Sequence, residues 1–305
     1  MLYFSPPGCL AHEMSPGHPE QPDRLRAVND HLRNTGILED LTCHDAAPMD
    51  LQRVARVHQS TYLAELESLR PDTGLVAVDP DTALCPESLD AALLAAGAVN
   101  DAVERIVSGD AKRAFCAVRP PGHHAEHAAA MGFCFFNSIA LGADAALQNA
   151  EIDRVAVLDF DVHHGNGTVD IFKDRSEVLV CSSFQHPYYP YRYADIERTN
   201  IINTPLAAGT DGATFRREVE ATWLPALESH RPQLILVSAG FDAHRMDPLA
   251  GLNLDEEDFR WVTQLIVEAA NRYADGRIVS ALEGGYDLSA LARSVGVHVE
   301  TLLEG

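Results

Sequence analysis

Arg154-Val155-Ala156-Val157-Leu158-Asp159-Phe160-Asp161-Val162-His163-His164-Gly165-Asn166-Gly167-Thr168 decides how this chain must fold. Arg154 to Leu158 is apolar and β-branched after its first residue, bounded by polar Asp153. Such a run reads as a strand buried on both faces, as in a parallel sheet. The chain then leaves the sheet through a stretch of charged residues, imidazoles and glycines. In open α/β folds ligands bind at the carboxyl ends of strands. Asp161 and His163 are two residues apart there, so in extended backbone both point the same way. One carboxylate and one imidazole on a single side make two thirds of an open three-ligand metal site.

The same arrangement recurs on either side. Upstream, Ala114 to Val118 reads as a buried strand leading into Arg119-Pro120-Pro121-Gly122-His123-His124-Ala125, where two prolines and a glycine stiffen the turn that carries adjacent histidines. Glu126 to Met131 reads as a polar loop. Gly132 then permits an unusual backbone angle before Phe133-Cys134-Phe135-Phe136, an aromatic run that is either core or a channel wall. Ser138 to Gln148 is an expected helix. Downstream, Glu177 to Cys181 is a strand ending at Ser182-Ser183, followed by the tyrosine-rich loop Gln185 to Tyr191. Asn203 to Leu206 and Gly209 to Gly212 read as loop, and Thr214 to His230 as helix. Leu234 to Ser238 is a strand that closes with Gly240-Phe241-Asp242, ahead of Asp247-Pro248-Leu249. Arg277 to Leu282 is the last strand and ends in Glu283-Gly284-Gly285-Tyr286. Five polar motifs thus fall at strand carboxyl ends, and a parallel sheet collects them on one edge. The expectation is one α/β domain over residues 1–305 with one site.

The remaining segments fill in around this sheet. Residues 2–4 are a short first strand. A proline- and histidine-rich loop with His12, His18 and Glu20 could line a cleft rim, and Arg24 to Leu32 is helical. Leu51 to Leu69 is helical with a break near His58, which reads as a core histidine. Pro71 to Pro86 is expected to be loop, with Asp79-Pro80-Asp81-Thr82 as a turn or rim feature. Helices are also expected over Ser88–Ser108, Glu256–Tyr273 and Ser289–Leu303.

The chain has 305 residues, 46% of them hydrophobic and 22% charged, which suits a globular protein. A formal charge of −22 argues against broad nucleic-acid binding, which needs a basic face. The six cysteines are scattered with no C-x-x-C pair, the N-terminus lacks a basic start and a long apolar run, and no run approaches a membrane span. A cytoplasmic protein without membrane attachment is the expectation; a homo-oligomer is left open.

Asp161, His163 and Asp242 offer two carboxylates and one imidazole, leaving a position open for water or substrate, the catalytic pattern of zinc. Such hard ligands would also accept Mn(II) or Fe(II). His123 and His124 supply acid and base near neutral pH. Each needs a partner for its far nitrogen, and Asp159 and Asn166 are the available candidates. Tyr286, after Gly284-Gly285, could donate to a developing oxyanion. The sum is metal-assisted hydrolysis of an amide or similar carbonyl.

From HPEQPDR at 18–24 through RPPGHHA, GFCFFN, DFDVHHGNGT and AGFDAH to LEGGY at 282–286, the chain resembles the zinc-dependent histone deacetylases and acetylpolyamine amidohydrolases of the arginase-like fold. The resemblance implies a single deacetylase-like catalytic domain with an eight-stranded, mostly parallel sheet between helices. It implies zinc on Asp161, His163 and Asp242, His124 as general acid/base, and His123 as its electrostatic partner. Asp159 would orient His123 and Asn166 would orient His124; asparagine there resembles the class II branch. Tyr286 matches the tyrosine that polarises the substrate carbonyl. Phe133 and Tyr189, with Gly132 and Gly285 beside them, look like the walls of an acyl-lysine tunnel. A structural potassium would use Asp159, Asp161 and His163 with Ser182 and Ser183.

Substrate choice turns on Leu249. Polyamine-preferring relatives often carry an acidic residue there, whereas leucine suits the neutral stem of acetyl-lysine. Glu20 and Asp81 could still supply negative charge from other loops. An acyl-lysine peptide or protein is therefore favoured over an acetylated polyamine or other small amine. A non-catalytic binder of acyl ligands is the distant alternative, since the zinc, histidine and tyrosine set is complete.

Overall fold

The apolar run ahead of the double-histidine motif forms a strand, Val155–Asp159, in which all five residues are buried. It lies within an eight-stranded parallel sheet in a computed structural model that describes residues Met1–Gly305. The strands in chain order are β1 (Leu2–Phe4), β2 (Thr42–His44), β3 (Val76–Asp79), β4 (Thr82–Leu84), β5 (Arg113–Cys116), β6 (Val155–Asp159), β7 (Val178–Gln185), β8 (Ile201–Leu206), β9 (Leu234–Ala239) and β10 (Ile278–Leu282). The sheet order is β2-β1-β5-β10-β9-β6-β7-β8, with every pairing parallel. The helices are α1 (Asp23–Asn34), α2 (Leu51–Val54), α3 (Ser60–Leu69), α4 (Ser88–Ser108), α5 (Ser138–Leu147), α6 (Asn166–Phe172), α7 (Gly212–His230), α8 (Glu256–Tyr273) and α9 (Leu288–Glu304). Helices α4, α5 and α6 pack on one face of the sheet. Helices α7, α8 and α9 pack on the other, with α1 laid against α9. Both sheet faces are thereby dry, which is why β6, β9 and β10 carry almost no polar residue before their last positions.

Local chemistry sets the element ends. Asp255 caps α8 through a capping box with Asp258, and Asp211 and Asp287 accept from the first turns of α7 and α9. Val54 and Ser60 bracket the break expected near His58. That histidine is buried, its Nδ1 2.9 Å from the Glu126 carbonyl and its Nε2 accepting from the Asn137 amide at 3.0 Å, a satisfied core residue. No helix is long and apolar enough to cross a membrane.

Four expectations are corrected. Residues 71–86 are not simply loop: β3 and β4 form an antiparallel hairpin there, because Val76–Asp79 pairs outside the main sheet despite its charged and proline-bearing turn. Asn203–Leu206 lies within β8 rather than in a loop; β8 is an edge strand, where a proline such as Pro205 is tolerated because one side needs no ladder donor. Strand β7 does not end at Ser182-Ser183 but runs through both to Gln185, so the two serine side chains point to opposite faces. The loop carrying His12 and Glu20 is no cleft rim at those residues. Both are fully buried, and Glu20 is gripped by Arg119 at 2.5 and 2.6 Å and by Arg24 at 3.1 Å. Its negative charge is spent inside the protein.

Candidate active site

The loops leaving β5, β10, β9 and β6 carry His123/His124, Tyr286, Asp242 and Asp161/His163 respectively, and these four strands are consecutive neighbours at the centre of the sheet. Strand order, not sequence order, therefore brings the groups together. The ligand-type atoms of Asp161, His163 and Asp242 all lie within 4.8 Å of one another. His163 Nδ1 stands 3.1 Å from Asp161 Oδ1 and 3.1 Å from Asp242 Oδ2. Backbone amides hold the rear of each carboxylate: Gly284 donates to Asp161 Oδ2 at 2.8 Å and Val162 to Asp242 Oδ1 at 2.8 Å. Gly284 is obligatory, since a Cβ there would run into Asp242 and Asp161.

One imidazole nitrogen carries at most one hydrogen and cannot satisfy two carboxylates. Both acids are about 1% exposed, so water cannot help them. Burial works against a charge on His163, yet its bonds to Asp161 and Asp242 push its pKa up to about 10. The pocket demands positive charge at that point. A divalent cation on the three atoms meets that demand, and the residues present fit one.

Beside this triad the two histidines differ in their partners. His123 Nδ1 faces Asp159 Oδ2 at 2.9 Å; His124 Nδ1 faces Asn166 Oδ1 at 2.6 Å. Burial tends to discharge His123, but Asp161 and Asp159 outweigh it and hold its pKa well above the usual value. Burial, His123 and His163 together hold His124 well below it. Tyr286 is kept a phenol by burial, far above its ordinary pKa, and so remains a donor. Phe133 and Tyr286 meet edge to face at 5.9 Å, and Tyr189 stands edge to face against His124 at 5.3 Å. With Asp81, Gly132, His163, Tyr188 and Leu249 they line a channel of about 160 Å³. A larger hollow of about 560 Å³ beside Asp50 and Glu104 gathers no comparable cluster. Gly132 adopts a φ of 56° and packs its bare Cα against the His124 ring. Phe133, at a φ of 68°, lines the channel, whereas Phe135 and Phe136 are core, so the aromatic run serves both purposes.

Residues not singled out by the sequence reading support these groups. Glu283 accepts from the Gly122 amide at 2.6 Å and the His123 amide at 3.1 Å, fixing the histidine turn from the neighbouring strand. Asp247 accepts from the Leu249 amide at 2.9 Å and the Tyr286 amide at 2.7 Å. Arg24 donates to the Gly285 carbonyl at 2.7 Å and the Glu283 carbonyl at 2.5 Å, and its guanidinium lies 4.9 Å from the Tyr286 ring centre. An acid directly after a central strand (Glu283) and an Asp-Pro after a ligand loop (Asp247) were the available signals. Asp81 accepts from the Gly132 amide at 3.1 Å, and Thr82 from the Phe133 amide at 2.9 Å, so the β3–β4 hairpin props the channel wall. Ser182 Oγ lies 3.4 Å from the Gly165 amide nitrogen, while buried Ser183 Oγ has no partner.

A family model described as histone deacetylase domain matches residues 18–302. A histone deacetylase-like amidohydrolase of Pseudomonas aeruginosa is 39% identical over 286 residues, which cover 92% of this chain and 75% of that protein. A probable deacetylase of Archaeoglobus fulgidus is 35% identical over 287 residues, 92% of this chain and 79% of its own. The polyamine deacetylase HDAC10 of Mus musculus is 36% identical over 307 residues, 93% of this chain and 45% of its own. Among solved structures, the HDA15 HD domain matches with a TM-score of 0.93 at 31% identity, over 99% of this chain and 88% of that one.

Proposed function

This chain belongs to the histone deacetylase family, and we propose that residues 1–305 act as one catalytic domain that hydrolyses the acetyl amide of acetyl-lysine in peptides or proteins. The observation that carries the reading is the meeting of Asp161, His163 and Asp242 with His123, His124 and Tyr286 at the floor of one narrow channel. Zinc is the proposed ion for the triad. When bound it acidifies a water and polarises the substrate carbonyl.

The chain's own groups supply the rest. Phe133 and Tyr189 flank the neutral four-carbon stem and keep bulk water from the floor. Tyr286 donates its hydroxyl hydrogen to the carbonyl oxygen, where negative charge develops. His124, with Nδ1 engaged by Asn166, uses Nε2 to take a proton from the attacking water and return it to the leaving amine. His123, paired with Asp159, stays cationic and stabilises the charge that gathers beside it. Potassium is the proposed ion for the buried oxygens around Asp159, Asp161, His163 and Ser182; Ser183 would reach it only through its main chain.

Leu249 supports acetyl-lysine, because an apolar mouth suits an uncharged stem. Asp81 in the channel lining supports a second reading, an acetylated polyamine, whose distal ammonium would meet that carboxylate. Turnover of the zinc-loaded protein on an acetyl-lysine peptide and on acetylputrescine, with a chelator control, separates them. The expected result is chelator-sensitive turnover with the larger kcat/KM on the peptide. A larger value on acetylputrescine selects the second reading, and chelator-insensitive or absent turnover on both overturns the proposal.

A further inference from the structure

His124 is oriented by an amide, and an amide has two ends. Asn166 Oδ1 lies 2.6 Å from His124 Nδ1, an arrangement that requires the hydrogen to sit on that ring nitrogen. Rotated by half a turn, the same side chain would present its NH2 group instead, and would favour the tautomer with the hydrogen on Nε2. An aspartate has no such ambiguity, because both its oxygens accept. Something must therefore choose between the two orientations of Asn166.

Glu126 makes that choice. Its Oε1 stands 2.8 Å from Asn166 Nδ2, and a carboxylate can only accept, so the nitrogen must face it and the oxygen must face His124. The other neighbours of Nδ2 are weaker guides: the His124 carbonyl at 3.4 Å and the Met131 sulfur at 3.2 Å. The second oxygen of Glu126 accepts from Arg192 Nη1 at 2.7 Å, a half-exposed arginine just after the tyrosine-rich loop, while the acid itself is buried. The carboxylate is anchored at its backbone as well, its amide bonded to Ala129 and its carbonyl to His58. We infer that Glu126 is a positioning residue that fixes the amide of Asn166, and through it the ring tautomer of His124 required of a base acting through Nε2. The inference rests on the catalytic role proposed above for His124, but its geometry does not.

The test is a two-by-two comparison on the zinc-loaded protein. In the native background Glu126→Ala lowers kcat on an acetyl-lysine peptide by about 10- to 100-fold with KM nearly unchanged, because the ring is held in the wrong tautomer for part of the time. Glu126→Gln lowers kcat likewise, because Arg192 can only donate and so takes the amide oxygen, which turns the NH2 group toward Asn166. Asn166→Asp alone is impaired, since it sets two carboxylates face to face. Adding Glu126→Gln, whose amide can donate to the carboxylate introduced by Asn166→Asp, then raises the rate of that variant. A role confined to holding the loop through Arg192 predicts the same loss in both backgrounds, and that outcome overturns the inference. Nitrogen-15 NMR of the histidine rings, assigned by the signals missing from His124→Ala, provides an arm independent of turnover. The native ring is expected in the Nδ1–H form, with the Nε2–H form growing in Glu126→Ala; an unchanged spectrum overturns the inference even if the substrate proposal holds. A shifted spectrum with no turnover on any acetyl amide leaves the positioning role standing and fails the substrate reading instead.

Discussion

The floor of the channel and its mouth are built on different terms. At the floor, the ionisable groups follow four adjacent central strands, and bonds from the loops after other strands of that set hold three of them: Asp161 by the Gly284 amide, Asp242 by the Val162 amide, and His123 through its own amide on Glu283. At the mouth, Asp81, Tyr188, Tyr189 and Leu249 come from a side hairpin and two irregular loops, joined by few bonds such as that from the Tyr188 hydroxyl to the Leu249 carbonyl. A reaction centre needs atoms fixed to a fraction of an ångström, whereas a rim that selects among substrates need only set shape and charge. The chain assigns its rigid parts accordingly.

Breaking the floor should cost most. His124→Ala and Tyr286→Phe are each expected to lower kcat by about 10³-fold while bound metal per chain, measured by elemental analysis, stays the same. A fall of less than about tenfold in either would remove that residue from the mechanism. Asp247→Ala probes the seam between the two regions, since one carboxylate holds the Tyr286 and Leu249 amides together. A loss of about 10- to 100-fold in kcat is expected, alongside a changed substrate ratio. At the mouth itself, Leu249→Glu is expected to move the kcat/KM ratio by about tenfold toward acetylputrescine, with peptide kcat altered little. A drop in peptide kcat as large as that of Tyr286→Phe would erase the distinction between floor and mouth.

The smallest effect on turnover is expected from two buried histidines outside the channel lining, where stability responds to pH instead. His58 and His298 are fully buried, and burial pushes their pKa values down to about 4 and about 3. His298 is held by Thr263 at 2.7 Å and Ser280 at 2.9 Å as a neutral ring. The unfolded chain binds protons on both rings at the ordinary value of 6.5, so it gains protons first as pH falls. Their contribution is complete above about pH 6.5 and drains away toward pH 4 for His58 and pH 3 for His298, the loss reaching about 2 kcal/mol for each ring at pH 5. Urea midpoints at pH 7.5 and pH 5 should show the decline, and His298→Leu should reduce it. Equal midpoints for the native chain would contradict it.

The floor was legible in the sequence because it uses short motifs at strand ends, where spacing alone dictates direction. Asp161 and His163 share a side by the two-residue period, and His123-His124 follow a stiff proline turn; the structure places these residues together. The supports were less legible. Glu283 and Asp247 act across the sheet, on amides 161 and 39 residues away, and no local pattern encodes such a pairing. Glu20 reads as rim charge until two arginines, Arg24 and Arg119, close on it from different elements. The β3–β4 hairpin and the second half of β8 read as loop because asparagine, aspartate and proline disfavour strands, whereas edge positions and side hairpins tolerate them.

Strand β10 sits at the middle of the sheet, between β5 and β9, although it follows all of the other sheet strands in sequence. During synthesis β5 and β9 each emerge with an unpaired inner edge and must wait for it, since parallel neighbours far apart in sequence cannot pair early. Until β10 inserts, Asp161 and Asp242 lack the Gly284 backbone that packs against both. The nascent chain is thus expected to hold neither its ion nor its activity, and to expose two sticky edges, until β10 and the turn at Gly284 have left the ribosome. Catalysis and completion of the sheet arrive in the same step.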